Sequence, residues 1–271
     1  MTPTPFGGRL ADAVAARGPL CVGIDPHVPL LEAWGLPDSP EGLARFTDAV
    51  VDALAGSVAV LKPQLAFYER HGSRGLAVLE EATARARSAG ALVLLDAKRG
   101  DIGSTMDAYA DYLRPDHPLA ADALTVSPYL GPQSLQPAVD TARTHGGGLF
   151  VLARTSNPDA GTLQHAVVGD RSVAQVVVDT VAGWNAGTPD GSFGVVVGAT
   201  LRELDVDLAG LGGPVLAPGL GAQGGTPADL RRLFGGAPLV VPTVSRDVLG
   251  AGPDPAALRS AAERWADALA G

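Results

Sequence analysis

An apolar run ends abruptly in charge at Leu94-Leu-Asp96-Ala-Lys98-Arg-Gly-Asp101-Ile102. Asp96 and Lys98 stand two residues apart, which on a strand puts them on one face. The chain has 20 basic residues, and only Lys62 and Lys98 are lysine. Lysine is a compact charge on a flexible stem, and it can release a proton at accessible pH where arginine cannot. A chain that uses arginine nearly everywhere keeps lysine where a transferable proton or a compact cation is needed. Chance ion pairing would account for either lysine alone. It accounts poorly for both if they fall at equivalent places in the fold.

The composition bounds the rest. At 271 residues the chain holds one large domain or two small ones, and 46% hydrophobic residues allow a sizeable core. No apolar run approaches the roughly 18 residues of a membrane helix. The start, MTPTPFGGRL, lacks the basic and apolar regions of a secretory leader. Cys21 is the sole cysteine, so neither a disulfide framework nor a cysteine metal site is expected. These features predict a soluble cytoplasmic protein with no membrane partner. A net charge of −9 and the lack of a basic stripe disfavour nucleic acid. An anionic small molecule would need locally placed cations against that field. The five histidines are scattered without ligand spacing, so no metal is expected.

Short apolar runs recur along the chain at 20–25, 58–62, 91–98, 122–127, 148–153, 193–198, 213–218 and 238–244. They are continuously apolar, which suits parallel strands buried on both faces. Pro242 implies that the last one is short or ends early. Helical patterns lie between them. Residues 41–56 put Leu43, Phe46, Val50 and Leu54 on one stripe. Residues 75–90 end on Gly90. A helix near Ser104 carries Asp107 three residues on, as in a capping box. Further patterns span 172–185 and 255–270. Eight strand units, each followed by a helix, predict one (β/α)8 TIM barrel over residues 1–271. A doubly wound sheet is the alternative. Active sites of such barrels sit at the carboxyl ends of the strands. Asp25, Lys62, Asp96 and Lys98 all fall there, on three adjacent strands.

After the seventh strand, Gly219, Gly221 and Gly224 form G-x-G-x-x-G. The dinucleotide version requires an acid about 20 residues on, and none lies between Leu230 and Arg246. Thr226, Pro227 and Asp229 fit N-cap, N1 and N3 of the next helix. Ser245 and Arg246 follow the eighth strand. The loops after strands seven and eight are the usual phosphate site of the fold. A phosphate-bearing ligand is therefore expected.

The motif Asp96-x-Lys98-x-x-Asp101 resembles that of the orotidine 5′-phosphate decarboxylase family. So do GIDP at 23–26, LKPQLAFYE at 61–69, TSNP at 155–158, APGLGAQGG at 217–225 and Arg246. The likeness covers essentially the whole chain, and the longer segment at 155–170 is similar to the larger bacterial (type 2) branch. It implies loss of CO2 from orotidine 5′-phosphate to give UMP in pyrimidine biosynthesis, without a cofactor or metal, in a homodimer with shared sites. It implies a catalytic row Lys62, Asp96, Lys98 and Asp101, with Lys98 stabilising and protonating the C6 carbanion. It implies substrate contacts from Asp25, Ile102, Thr105 of the partner, Ser156, Pro218, Gly219, Gln223 and Arg246. His27, near the rim, receives no role. Related sugar-phosphate decarboxylases and aldolases share the motif but use magnesium, and Lys62 places a fixed cation where strand two ends. A Schiff-base aldolase is a second alternative, although flanking carboxylates hold a lysine in its ammonium form, the wrong one for that chemistry. A catalytically silent nucleotide-binding protein would have no use for the charged row.

Overall fold

The computed structural model describes residues 3–237 and 239–271. Eight parallel strands close into a barrel: β1 (Cys21–Ile24), β2 (Val60–Pro63), β3 (Leu92–Arg99), β4 (Ala123–Val126), β5 (Gly148–Arg154), β6 (Phe193–Val197), β7 (Val215–Pro218) and β8 (Val240–Val244). Each pairs with its neighbours in sequence, and β8 closes on β1 through Cys21 opposite Thr243. The strands read as unbroken apolar runs because both faces are buried. Alternate residues split between two cores. Val60, Leu92, Leu94, Ala123, Phe150, Val196, Leu216 and Val241 fill the barrel. Val93, Leu95, Leu124, Val151, Val195 and Val215 face the surrounding helices.

Helix α1 (Phe6–Arg17) precedes β1, and its Phe6 and Leu10 join the interior core. Phe6 meets Phe150 edge-on at 6.0 Å, so α1 plugs the end of the barrel opposite the strands' carboxyl ends. The outer layer comprises α2 (Pro40–Leu54), α3 (Gly72–Ser88), α4 (Gly103–Ala110), α5 (Gln136–His145), α6 (Val173–Asn185), α7 (Pro227–Phe234) and α8 (Pro255–Ala270). The anticipated stripe of α2 is buried in full, Leu43, Phe46, Val50 and Leu54 together. No helix among the described residues is long and apolar enough to cross a membrane.

Three expectations fail locally. Among the described residues no helix links β6 to β7. That connection buries Leu201, Val206, Leu208 and Leu211 from turns rather than a helix, and Gly210, Gly212, Gly213 and Pro214 disfavour helical backbone there. The Ser104–Asp107 capping box does not form either. The N-cap of α4 is Ile102, which has no side-chain oxygen to offer, and Ser104 lies within the first turn. Finally, β8 runs through Pro242 to Val244. β1 joins its ladder only from Thr243 onward, past the missing donor. The predicted start of that strand, Pro238, lies outside the described residues.

Candidate active site

Continuing the inward-facing series of each strand by two residues leads to the barrel mouth. After Val60 comes Lys62; after Leu94, Asp96; after Ala123, Thr125; after Phe150, Leu152; after Val241, Thr243 and then Ser245. All of them line one cavity of about 250 Å³, together with Asp25, Gln64, Lys98, Thr155, Val196, Leu216, Pro218, Gly219, Gln223 and Arg246. Gly23 keeps the floor open, since a Cβ there would stand 3.0 Å from Ser245 Cβ and 3.2 Å from Asp25 Oδ2.

Asp96 is the centre of the charges. Its Oδ2 accepts from Lys62 Nζ at 2.8 Å and its Oδ1 from Lys98 Nζ at 2.6 Å. Lys62 and Asp96 are buried, whereas Lys98 reaches the cavity with its side chain 45% exposed. Burial alone would raise the Asp96 carboxyl. The ammoniums of Lys62 and Lys98 outweigh it and hold the group well below the usual carboxylate range. Burial alone would likewise lower Lys62, but Asp96, and then Asp25, hold it above the ordinary lysine value. Both are therefore charged at neutral pH. The Gln64 amide, turned with its nitrogen toward the Asp96 carbonyl (2.5 Å), sets its oxygen 3.2 Å from Lys98 Nζ. That orientation is assigned from the hydrogen bonds.

Asp96 and Lys98 converge, but not through a regular pleat. Lys98 has φ +47°, a left-handed conformation that costs a non-glycine residue roughly 1–3 kcal/mol. Strand β3 bulges at the same place. The register with β4 passes from Leu95–Leu124 directly to Arg99–Val126.

The glycine loop after β7 is a tight turn. Gly219, Gly221 and Gly224 have φ of +113°, +67° and +96°, conformations that strain any side-chain-bearing residue. Gly221 N donates to Gly225 O, and Gly225 N to Gly219 O. The turn delivers the chain to α7, where Thr226, Pro227 and Asp229 take the expected N-cap, N1 and N3 positions, and Thr226 and Asp229 close a capping box. Gln223 from this loop and Arg246 from the end of β8 both line the cavity. Asp25 Oδ1 and Ser245 Oγ are buried without a hydrogen-bond partner. Buried polar atoms are rarely left unpaired, and at a cavity wall such atoms fit a hydroxyl-bearing or anionic ligand.

Eight of the anticipated residues thus meet in one place: Asp25, Lys62, Asp96, Lys98, Pro218, Gly219, Gln223 and Arg246. Four do not. Asp101 turns to cap its own loop, its Oδ1 accepting from Ile102 N at 2.8 Å. Ile102 and Thr105 are exposed, and Ser156 lies exposed at the rim beside Gly198. Thr155, one residue earlier, lines the cavity instead. Sequence reading gave no role to Gln64, Thr125 or Thr155, whereas Ser245, noted beside Arg246, does line the cavity. The strand parity would have found Thr125, because it continues the inward series of β4. His27 sets Nδ1 2.9 Å from the Asp25 carbonyl and braces that turn. Among the described residues no three His, Cys, Asp or Glu side chains gather as a metal-ligand set.

Residues 18–261 match the family model described as orotidine 5′-phosphate decarboxylase / HUMPS family. The chain belongs to the orotidine 5′-phosphate decarboxylase / HUMPS family. A relative from Streptomyces coelicolor, named orotidine 5′-phosphate decarboxylase, is 63% identical over 97% of this chain and 96% of its own. A second of that name, from Salinispora arenicola, is 61% identical over 96% and 95%. A crystal structure from Streptomyces avermitilis superposes with a TM-score of 0.95 at 59% identity, covering 100% of this chain and 96% of that one. The Leishmania donovani OMP decarboxylase is 31% identical with a TM-score of 0.75 over 98% of each chain. The family's eight-stranded barrel and the charged mouth described above thus occur together in this chain.

Proposed function

We propose that the protein decarboxylates orotidine 5′-phosphate to UMP, the last step of de novo pyrimidine synthesis. The observation that carries this is the Lys62–Asp96–Lys98 array, with Lys62 and Asp96 buried and Lys98 open to a cavity that a glycine turn and an arginine also line. The bond from C6 to the carboxylate breaks, CO2 departs, and the electron pair stays on C6. Nothing in the pyrimidine delocalises that pair well, so the protein must stabilise it electrostatically. The largest enzymatic accelerations correspond to roughly 20 kcal/mol or more, beyond any one contact. The Lys98 ammonium stands beside the developing carbanion, stabilises it, and then gives it a proton. The neutral amine regains its proton from solvent. Asp96 keeps the ammonium fixed, and Lys62 offsets the carboxylate's charge from behind. Because Asp96 also faces the substrate carboxylate, its repulsion is relieved as CO2 leaves, a secondary contribution.

Arg246, Gln223 and the Gly219 turn bind the phosphate, with Pro218 beside them, and Asp25 binds ribose hydroxyls. Ser156 takes the pyrimidine amide edge once the loop after β5 folds inward. Binding energy from the remote phosphate offsets the cost of that closure. Asp101, Ile102 and Thr105 do not line their own cavity, which supports a homodimer in which they complete the partner's site; the setting is the cytoplasm. No cofactor is required.

The test is the loss of orotidine 5′-phosphate absorbance on adding the purified protein, with UMP and CO2 formed one to one. An inactive protein refutes the assignment. Lys98→Ala should abolish turnover and keep UMP binding. Lys98→Arg should be nearly as inactive, since charge without a usable proton is insufficient. If Lys98→Arg kept most of kcat, the proton-donor role would be wrong.

A further inference from the structure

Three residues of β3, Asp96 to Lys98, stand opposite a single residue of β4, because the register advances from Leu95–Leu124 to Arg99–Val126. That single residue is Thr125. A bulge of this kind removes backbone groups from the ladder and re-aims the side chains it carries. Here it leaves the Lys98 N–H without a strand partner and puts Lys98 at φ +47°. Sparsely populated conformations of this kind persist only where the surroundings over-determine them.

We infer that Thr125 is a positioning residue for Lys98, an inference that rests on the decarboxylase reading above. Its hydroxyl accepts from the Lys98 N–H at 3.0 Å and donates to Asp96 Oδ1 at 2.8 Å. Asp96 Oδ1 is also the oxygen that receives Lys98 Nζ at 2.6 Å. The three bonds close a ring that ties both ends of Lys98, backbone and ammonium, to one buried hydroxyl. A hydroxyl is the smallest group that both donates and accepts, and valine of the same shape does neither. Thr125 is buried on a central strand, where β-branching restricts its rotamer and so fixes the direction of the hydroxyl. With valine, the Lys98 N–H loses its acceptor and the carboxylate a donor, and the bulge is free to relax toward a regular strand. The ammonium would then drift from C6 although every charged group remained. A misplacement of about 1 Å can cost about 100-fold in rate.

The experiment compares Thr125→Val and Thr125→Ser with the wild type in kcat, KM, UMP affinity and thermal unfolding. Thr125→Val should lower kcat about 10–100-fold, the worth of one hydrogen bond to a charged network. Its KM and UMP affinity should stay within about threefold, because the phosphate and ribose contacts lie on other strands. Thr125→Ser, which retains the hydroxyl, should recover most of kcat. Wild-type kcat in Thr125→Val overturns the inference, as does a serine variant no better than valine. A fall in kcat matched by an equal weakening of UMP binding would mark a merely structural hydroxyl and also overturn it. An inactive wild type sinks both this inference and the proposed reaction. An active wild type with an unimpaired valine variant sinks this one alone.

Discussion

Replacing Asp96 by Asn tests whether one carboxylate holds the array together. The side chains are nearly isosteric, so no cavity opens, and the change is almost purely electrostatic. Lys62 would be left as a buried ammonium with only Asp25 near it. Removing one partner of a buried ion pair typically costs about 3–5 kcal/mol. Lys98, with a side chain 45% exposed, adds little to that figure because water screens it. A loss of about 3 kcal/mol or more at pH 7 is therefore expected. In urea, with m near about 3 kcal/mol per molar, the midpoint falls by about 1 M. The pH dependence carries the sign of the cause. In the wild type the Asp96 pKa is depressed on folding, so its contribution is complete above the ordinary value of 3.8 and is lost only as pH falls through the folded value. In the variant, Lys62 is penalised by burial without its main partner. Its folded pKa drops below the unfolded one, and the unfolded state binds more protons. The variant's stability should then rise with pH, and its deficit should narrow between pH 7 and pH 10. Urea titrations of ligand-free protein at several pH values measure this directly. A deficit below about 1 kcal/mol at pH 7, or one that stays constant up to pH 10, would refute the reasoning.

Arg246→Ala should weaken UMP binding by roughly 1.5–3 kcal/mol, a charge-assisted contact, and leave uridine binding nearly unchanged; calorimetry with both ligands checks it, and equal losses would make Arg246 structural. Mixing inactive Lys98→Ala and Asp101→Ala proteins under subunit exchange should restore activity to about a quarter of the sites, because random pairing makes half the dimers mixed and gives each mixed dimer one intact site. A mixture that stays inactive while heterodimers are present would place Asp101 in its own subunit's site.

The barrel was legible because its strands are buried on both faces and its helices carry regular stripes. Both signals are local. The period of two also carried most of the site, since Lys62 and Asp96 are the next inward positions after Val60 and Leu94. It breaks down at Lys98, where the bulge and the positive φ are set by pairing with β4, 27 residues away along the chain. No pattern within β3 announces that pairing. The missing helix between β6 and β7 has the opposite cause. Eightfold regularity was extended to a segment whose glycines and proline argued against it. Ile102, Tyr129 and Leu130, on the loops after β3 and β4, are 63%, 75% and 52% exposed. Apolar side chains exposed together mark an interaction site where they form a contiguous patch, and Asp101 and Thr105 lie beside Ile102 in the chain. Nothing in a single sequence separates such residues from ordinary loop positions.

The geometry also gives each lysine its own reason to resist replacement by arginine. Lys62 lies in the barrel interior, with Asp96 2.8 Å from its Nζ and little solvent around it. A guanidinium there would bring five N–H donors in a rigid fork to a place that offers the acceptors for a compact ammonium. Unpaired buried donors cost about 1–3 kcal/mol each, and the larger group would press on the packed layer of Cys21 and Val60 below. Steric fit and polar satisfaction are enough to preserve Lys62, whatever the chemistry. Lys98 is under no such constraint, since half of its side chain is open to the cavity and an arginine has room to extend. Only a demand for a releasable proton distinguishes the two residues at that position. Lys62→Arg should therefore fail through folding and Lys98→Arg through turnover, with its unfolding transition nearly unchanged. Finding both defects in the same observable would remove the separate roles assigned to the two lysines.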